Sequence, residues 1–165
     1  WVGVNAAARF SEALHAPAAV INDADAAGLA EMHFGAGRGR RGKVLVITIG
    51  TGLGVALFED GQLIPNVEFP DVEVNGQKAD KQASGRAKQE LGLSWGGFGR
   101  HLSEYLQQVQ ERVHADLIIL GGGVSEDHDE FRQYLDVDAE IVPAGFRNAA
   151  GIVGAALAAR RLEGA

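Results

Sequence analysis

Lys43-Val44-Leu45-Val46-Ile47-Thr48-Ile49, then Gly50-Thr51-Gly52-Leu53-Gly54, then Val55-Ala56-Leu57-Phe58 is the stretch on which the fold turns. Two apolar runs, each short enough to be a buried strand, flank a glycine-rich turn. Asp60-Gly61 closes the second run with a hairpin signal, and Gln62-Leu63-Ile64 supplies a third strand. The reading is a three-stranded antiparallel meander. Downstream, Pro65 to Asp80 is polar and irregular. Lys81 to Leu91 and Gly96 to Val113 read as helices, the second with Phe98, Leu102, Tyr105, Leu106 and Val109 at helical spacing. Asp116 to Leu120 is a buried strand running into Gly121-Gly122-Gly123. Acids at Asp127 to Glu130 suit the cap of a short helix, Glu140-Ile141-Val142 is one more strand, and Gly145 to Leu162 is a long helix. In that helix Ala150, Gly151, Gly154, Ala155 and Ala158 predict close helix packing. A meander followed by alternating helices and strands is an α/β layered domain.

Upstream of the meander, residues 5 to 14 carry good helix formers with Ala7, Phe10 and Leu14 on one side. After Pro17, Ala18-Ala19-Val20-Ile21 reads as a buried strand that ends at Asn22-Asp23, and a helix starts at Ala24. Asp23 is therefore expected where a strand hands over to a helix. A carboxylate there suits general-base activation of an alcohol, although capping the helix is the commoner use of aspartate at such a junction. Gly35 to Gly42 is an exposed basic loop, whose Arg38, Arg40 and Arg41, with Lys43, are candidates to meet a polyanion.

Composition excludes several classes of function. The 165 residues, 46% hydrophobic and 22% charged, make one globular domain. Fifteen basic against 22 acidic residues leave a net charge of −7, so there is no broad positive field to gather nucleic acid or anionic lipid. With no cysteine there is no disulfide framework or thiol nucleophile, and no apolar run approaches membrane-spanning length. A cytoplasmic protein is the expectation. The five histidines show no paired metal spacing.

Two motifs fail on context. Gly37-Arg38-Gly39-Arg40-Arg41-Gly42-Lys43 imitates a P-loop, but it precedes a strand instead of following one, and Val44 stands where a magnesium-binding hydroxyl belongs. Gly50-Thr51-Gly52-Leu53-Gly54 imitates a dinucleotide fingerprint but opens a strand where a helix is required. It remains a turn whose amides and Thr51 hydroxyl can approach a phosphate. Gly121-Gly122-Gly123, at the end of a strand, is either a ligand loop or a plain strand-to-helix turn.

Taken in order, Asn22-Asp23-Ala24-Asp25-Ala26, Gly50-Thr51-Gly52-Leu53-Gly54 and Leu120-Gly121-Gly122-Gly123-Val124-Ser125 resemble the ROK family of sugar kinases. That family lies within the actin-like ATPase and sugar kinase fold, which is ribonuclease H-like. Pro65-Asn66-Val67-Glu68 and Gly92-Leu93-Ser94-Trp95 make the likeness strongest to its polyphosphate-using glucokinases. The resemblance implies that Asp23 takes the proton of the sugar 6-hydroxyl and that Asn22 contacts the sugar, with Glu68, Asp71 and Asp80 in sugar-binding positions. It implies phosphate binding at Gly50, Thr51, Gly52 and Gly54, and a donor-side loop at Gly121, Gly122 and Gly123. Mg2+, ATP or inorganic polyphosphate as donor, glucose as acceptor and a homodimer belong to the same implication, with the faces of the Gly96 to Val113 helix and the terminal helix as dimer surfaces.

Two departures qualify the likeness. The family's Asn-x-Glu-Leu-Gly-His is Asn66-Val67-Glu68-Phe69-Pro70-Asp71 here, so the sugar-binding histidine is Asp71 and a glycine is Pro70. Asp80 likewise replaces a glutamate. The family's first phosphate loop, of Asp-x-Gly-Gly type, is not among these residues. The expectation is a single C-terminal α/β lobe over residues 1–165, with residues 1–22 leading in from an N-terminal lobe, and no turnover by the lobe alone. A sugar-responsive regulator without catalysis, or a kinase for another sugar, stands as the alternative.

Overall fold

The computed structural model describes residues 2–146 and 149–160. Its frame is a five-stranded sheet built around β1 (Lys43–Ile49), which pairs antiparallel with β2 (Leu53–Glu59) and parallel with β6 (Leu117–Gly121). β3 (Gln62–Ile64) extends the sheet beyond β2, and β7 (Glu140–Pro143) extends it beyond β6, giving the order β3-β2-β1-β6-β7. The meander is as the sequence predicts. Asp60 and Gly61 take φ of 50° and 83°, the paired left-handed conformations that match a two-residue hairpin to strand twist.

Alternation along β1 sorts its side chains between two cores. Leu45, Ile47 and Ile49 pack with Ile118 and Leu120 against α5 (Trp95–Val113), whose Phe98, Leu102, Leu106 and Val109 are fully buried. Val44 and Val46, with Phe58, Leu117 and Ile119, pack on the opposite face against Leu29 and Met32 of α2 (Asp23–Phe34) and Leu157 of α7 (Ala150–Arg160). The result is a helix–sheet–helix sandwich. The face of α5 expected at a dimer surface is spent on this chain's own core.

Close contact between α2 and α7 explains Ala150 and Gly154, whereas Ala155 is exposed and a Cβ at Gly151 would meet open space, so those two do not serve it. A Cβ at Gly154 would fall inside the Ala26 carbonyl, and one at Gly28 would lie 2.6 Å from the Phe58 ring. The fully buried Glu31 locks the same corner. Its carboxylate accepts the amides of Ala36, Gly145 and Phe146 at 2.9, 3.0 and 2.8 Å.

Elsewhere the local structure departs from expectation. Residues 18–22 form no strand, and Val20 is 63% exposed, because no strand among the described residues pairs with this run. α1 (Ala6–Leu14) forms behind the Asn5 cap but buries nothing, leaving Phe10 and Leu14 exposed. The polar segment holds a small hairpin, β4 (Glu73–Val74) and β5 (Gln77–Lys78), turned by Asn75 and Gly76 at φ 51° and 69°. The helix expected over 81–91 is two pieces, α3 (Asp80–Ala83) and α4 (Gly85–Glu90). Ser84 breaks it by capping α4, its Oγ accepting the Ala87 amide at 3.1 Å. α6 (His128–Phe131) follows a 3₁₀ turn, Gly123–Asp127, but the Asp127 side chain makes no capping bond. The terminal helix begins at Ala150, since Gly145 and Phe146 lie in a turn, and Leu162 lies outside the described residues.

Candidate active site

β1 and β6 run parallel and in register to Thr48 opposite Gly121, so the turns that follow them open on one edge of the sheet. The carboxyl edge of such strands is where α/β folds gather ligands. A cleft of about 640 Å³ lies there. It is lined by Asn22, Asp23, Glu68, Asp80, Gly50, Thr51, Gly52, Gly54, Gly122 and Gly123, so ten of the twelve residues singled out in the sequence share one cavity.

Asn22 is the cap of α2. Its Oδ1 accepts the amides of Ala24 and Asp25 at 2.9 and 3.1 Å, which leaves its side-chain NH2 for a ligand. Asp23 is thereby the first helical residue, exposed to the cleft, its Oδ1 accepting the Ala24 amide at 2.9 Å. The carboxylate thus stands at the N-terminus of α2 and faces the cleft, where a sugar hydroxyl could hand it a proton. Gly54 makes this seating possible. It lies within β2 opposite Thr48, not at the tip of the turn, and a Cβ there would press on the Thr48 hydroxyl and on Ala24.

The turn has its own economy of amides. Gly50 donates to the Gly52 carbonyl at 3.0 Å, and Leu53 donates to Asp80 Oδ1 at 2.7 Å. Among the described residues the Thr51 and Gly52 amides have no acceptor, so two donors and the Thr51 hydroxyl are free for anionic oxygens. Asp80 thus holds the turn as well as lining the cleft. Its negative charge, together with burial, which is the larger effect, pushes the Tyr105 phenol in the cleft wall far up. Gly122, at φ 81°, has no alternative residue: a Cβ would meet the Ile49 backbone at 2.5 to 2.8 Å. Gly121 is buried as the last residue of β6 and does not line the cleft.

Asp71 is also outside. Pro70 and Asp71 occupy a turn closed by the Val72 amide on the Phe69 carbonyl, with Pro70 where its fixed φ suits the turn. That turn directs Asp71 to Arg112 of α5, at 2.8 Å, which holds the carboxyl below its ordinary range chiefly through this hydrogen bond. The loop stays beside Asp23 through another bond, the Asn66 amide donating to Asp25 Oδ2 at 3.0 Å.

The basic loop lies away from all of this. Lys43 begins β1, at the opposite end from Gly50, its Nζ donates to the Val113 carbonyl, and Arg40 pairs with Glu140. The cations near the site are instead Lys78 in the cleft and Arg86 and Lys88 beside it. Sequence reading passed over Arg86 and Lys88, and the break at Ser84-Gly85 was the available signal for a turn of α4 against Gly50.

Residues 1–66 match the ROK family model. Over 159 residues, 96% of the chain, the sequence is 38% identical to the polyphosphate glucokinases of Mycobacterium tuberculosis and Mycobacterium leprae. The chain spans 60% of the first relative and 49% of the second. The crystal structure of inorganic polyphosphate/ATP-glucomannokinase from Arthrobacter sp. strain KM is 46% identical with a TM-score of 0.88, over 94% of this chain and 62% of that one. A ROK family glucokinase from Streptomyces griseus, in complex with glucose and AMPPNP, is 25% identical with a TM-score of 0.78, over 94% of this chain and 72% of that one. Residues 1–66 thus resemble the ROK family, and nearly the whole chain is similar in sequence and fold to polyphosphate-using sugar kinases.

Proposed function

We propose that the protein carrying this chain transfers a phosphoryl group from inorganic polyphosphate or ATP to the 6-hydroxyl of glucose, and that this chain supplies the acceptor side as its C-terminal lobe. The observation that carries the reading is the sharing of one cleft by Asp23, Glu68 and the open amides of the Gly50 turn. Asp23 accepts the hydroxyl proton as the sugar oxygen attacks phosphorus. Asn22 and Glu68 orient the sugar, an amide donating and a carboxylate accepting. Thr51 and Gly52 meet the charge on the phosphoryl oxygens.

Magnesium fits this chemistry as a companion of the donor. It prefers oxygen ligands and is commonly held by substrate phosphates with one or two carboxylates. Among the described residues no three acids or histidines converge to cage a metal, while Asp23 and Asp80 each bring an exposed carboxylate to the cleft of the phosphate turn. When bound, the ion would neutralise donor oxygens. A homodimer would have to use surfaces other than the α5 core face, and α7, with Ile152 78% exposed, is available for it.

The test follows glucose 6-phosphate formation by the full-length protein with magnesium, offering ATP and polyphosphate in separate reactions, with Asp23→Ala as control. Product that disappears in the control is the expected result. A folded protein that binds glucose but forms no product from either donor would move the reading to a sugar-responsive regulator, the alternative suggested by Phe69-Pro70-Asp71.

A further inference from the structure

Tyr105 brings an uncommitted hydroxyl to the cleft. Its ring packs in the core formed by α5 with Val72, Val74 and Ala79, so the residue is only 3% exposed. The same residue is part of the cleft wall, in company with Phe69, Val72 and Asp80. A buried phenol ordinarily finds a partner for its O–H. Among the described residues the Tyr105 hydroxyl bonds to none, yet the buried side-chain atoms left without a partner are Asp25 Oδ1 and His128 Nε2. The side on which the Tyr105 hydroxyl stays open is therefore the cleft.

Asp80 supplies the complementary group. Its Oδ1 is taken by the Leu53 amide at 2.7 Å, while its Oδ2 accepts no bond among the described residues. Burial, and after it the Asp80 charge, hold the phenol pKa well above its ordinary value, so the group keeps its proton and donates. A neutral donor within reach of a free carboxylate oxygen matches a hydroxyl, which accepts from the first and donates to the second. An anionic oxygen fits less well, because Asp23, Glu68 and Asp80 outnumber Lys78, the one cation in the lining.

We infer that Tyr105 is a specificity-determining residue for the acceptor, its hydroxyl donating to one ring hydroxyl of a neutral sugar while Asp80 Oδ2 accepts from that same hydroxyl. The inference rests on the phosphotransferase reading above and adds to it the side chain that selects. Tyr105 takes no part in bond making, and the reacting hydroxyl stays with Asp23. An analogue lacking the matched hydroxyl leaves the phenol unpaired against a buried wall, and a site built to bond a hydroxyl rejects the molecule without it.

The experiment compares the full-length protein with its Tyr105→Phe variant, which keeps the ring in the core and with it the fold. The variant should raise the KM for glucose about tenfold, leaving kcat and the KM for the phosphoryl donor within about twofold. A panel of glucose analogues, each lacking one ring hydroxyl, then separates contact from mere support. For one analogue the parent should lose about tenfold in kcat/KM relative to glucose, and the variant no more than about twofold. Equal discrimination by parent and variant across the whole panel would overturn the inference. Calorimetric binding of the same sugars without donor keeps the two readings apart. If no sugar is phosphorylated, but one analogue's loss of affinity is present in the parent and absent from the variant, Tyr105 is supported and the kinase reading fails. Turnover with identical discrimination in both proteins does the reverse, and a parent that binds no sugar overturns both.

Discussion

Asp25 Oδ2 accepts the backbone amide of Asn66 at 3.0 Å, so the helix that presents Asp23 also fixes the loop that presents Glu68. The Asp25 side chain is 2% exposed, and Asn66 sits at a left-handed φ of 58°. Removing the acceptor strands an amide that a carboxylate held, at a cost of about 1–3 kcal/mol. Asp25→Ala should lower the unfolding free energy by about that amount and raise the KM for glucose more than it lowers kcat. Asp25→Asn, which keeps an acceptor oxygen, should recover most of the loss. Chemical denaturation and glucose kinetics on the two variants check this; equal kcat and KM effects would mean that Asp25 does more than position the loop.

Gly122→Ala should be destabilising beyond the ordinary cost of an exposed turn. The residue is held at φ 81°, and the added Cβ would press on the Ile49 backbone. The conformational part alone is about 1–2 kcal/mol, and the contact adds to it. Urea unfolding should show a lower midpoint, whereas Gly61→Ala, also at positive φ but with open space around it, should lose only the conformational part.

Asp71→Asn addresses the family's missing histidine directly. Because Asp71 lies on Arg112 and not in the cleft, the variant should leave the glucose KM unchanged. Its effect belongs to acid stability. The folded carboxyl titrates below its ordinary value, so its contribution is present above about pH 4 and vanishes as pH falls through the folded pKa. The variant and the parent should differ less at pH 3 than at pH 7 in thermal unfolding. A changed glucose KM would return Asp71 to the sugar site.

His128 contributes with the same sign by another route. Burial, the largest influence, holds its pKa below the ordinary histidine value, and its Nε2 has no partner among the described residues. The neutral ring is thus the one the fold accommodates. Stability is full above about pH 6.5 and is lost as pH falls below it, because the unfolded chain takes up the proton first. His128→Leu keeps an apolar body against Phe131 and should flatten the melting temperature between pH 7.5 and 5.5. An unchanged slope would assign the acid sensitivity elsewhere.

The meander, α5 and the parallel strand at Leu117–Gly121 were legible because each carries its own signal: short apolar runs bounded by glycine turns for the strands, and Phe98, Leu102, Leu106 and Val109 at helical spacing for α5. Asn22, Asp23 and the Gly50 turn were legible as a set because their order in the chain resembles a known family. What escaped has physical causes. Ala18 to Ile21 has the composition of a strand, but a strand needs a ladder partner, and none of the described residues provides one. Asn75-Gly76 was a hairpin signal hidden in a segment too short and polar to show alternation. Asp71 could not be assigned because its direction depends on Arg112, 41 residues away. Arg86 and Lys88 gained meaning only when α4 folded against Gly50.

Glu31 ties three amides from two distant stretches to one carboxylate within the interior. Those amides cannot be released independently without leaving the acid short of partners in a place water does not reach. The corner joining the end of α2 to the approach of α7 should therefore open as a unit or stay shut. Hydrogen exchange at Ala36, Gly145 and Phe146 would then follow a single protection factor, a clock for the one event that lets solvent in between those helices.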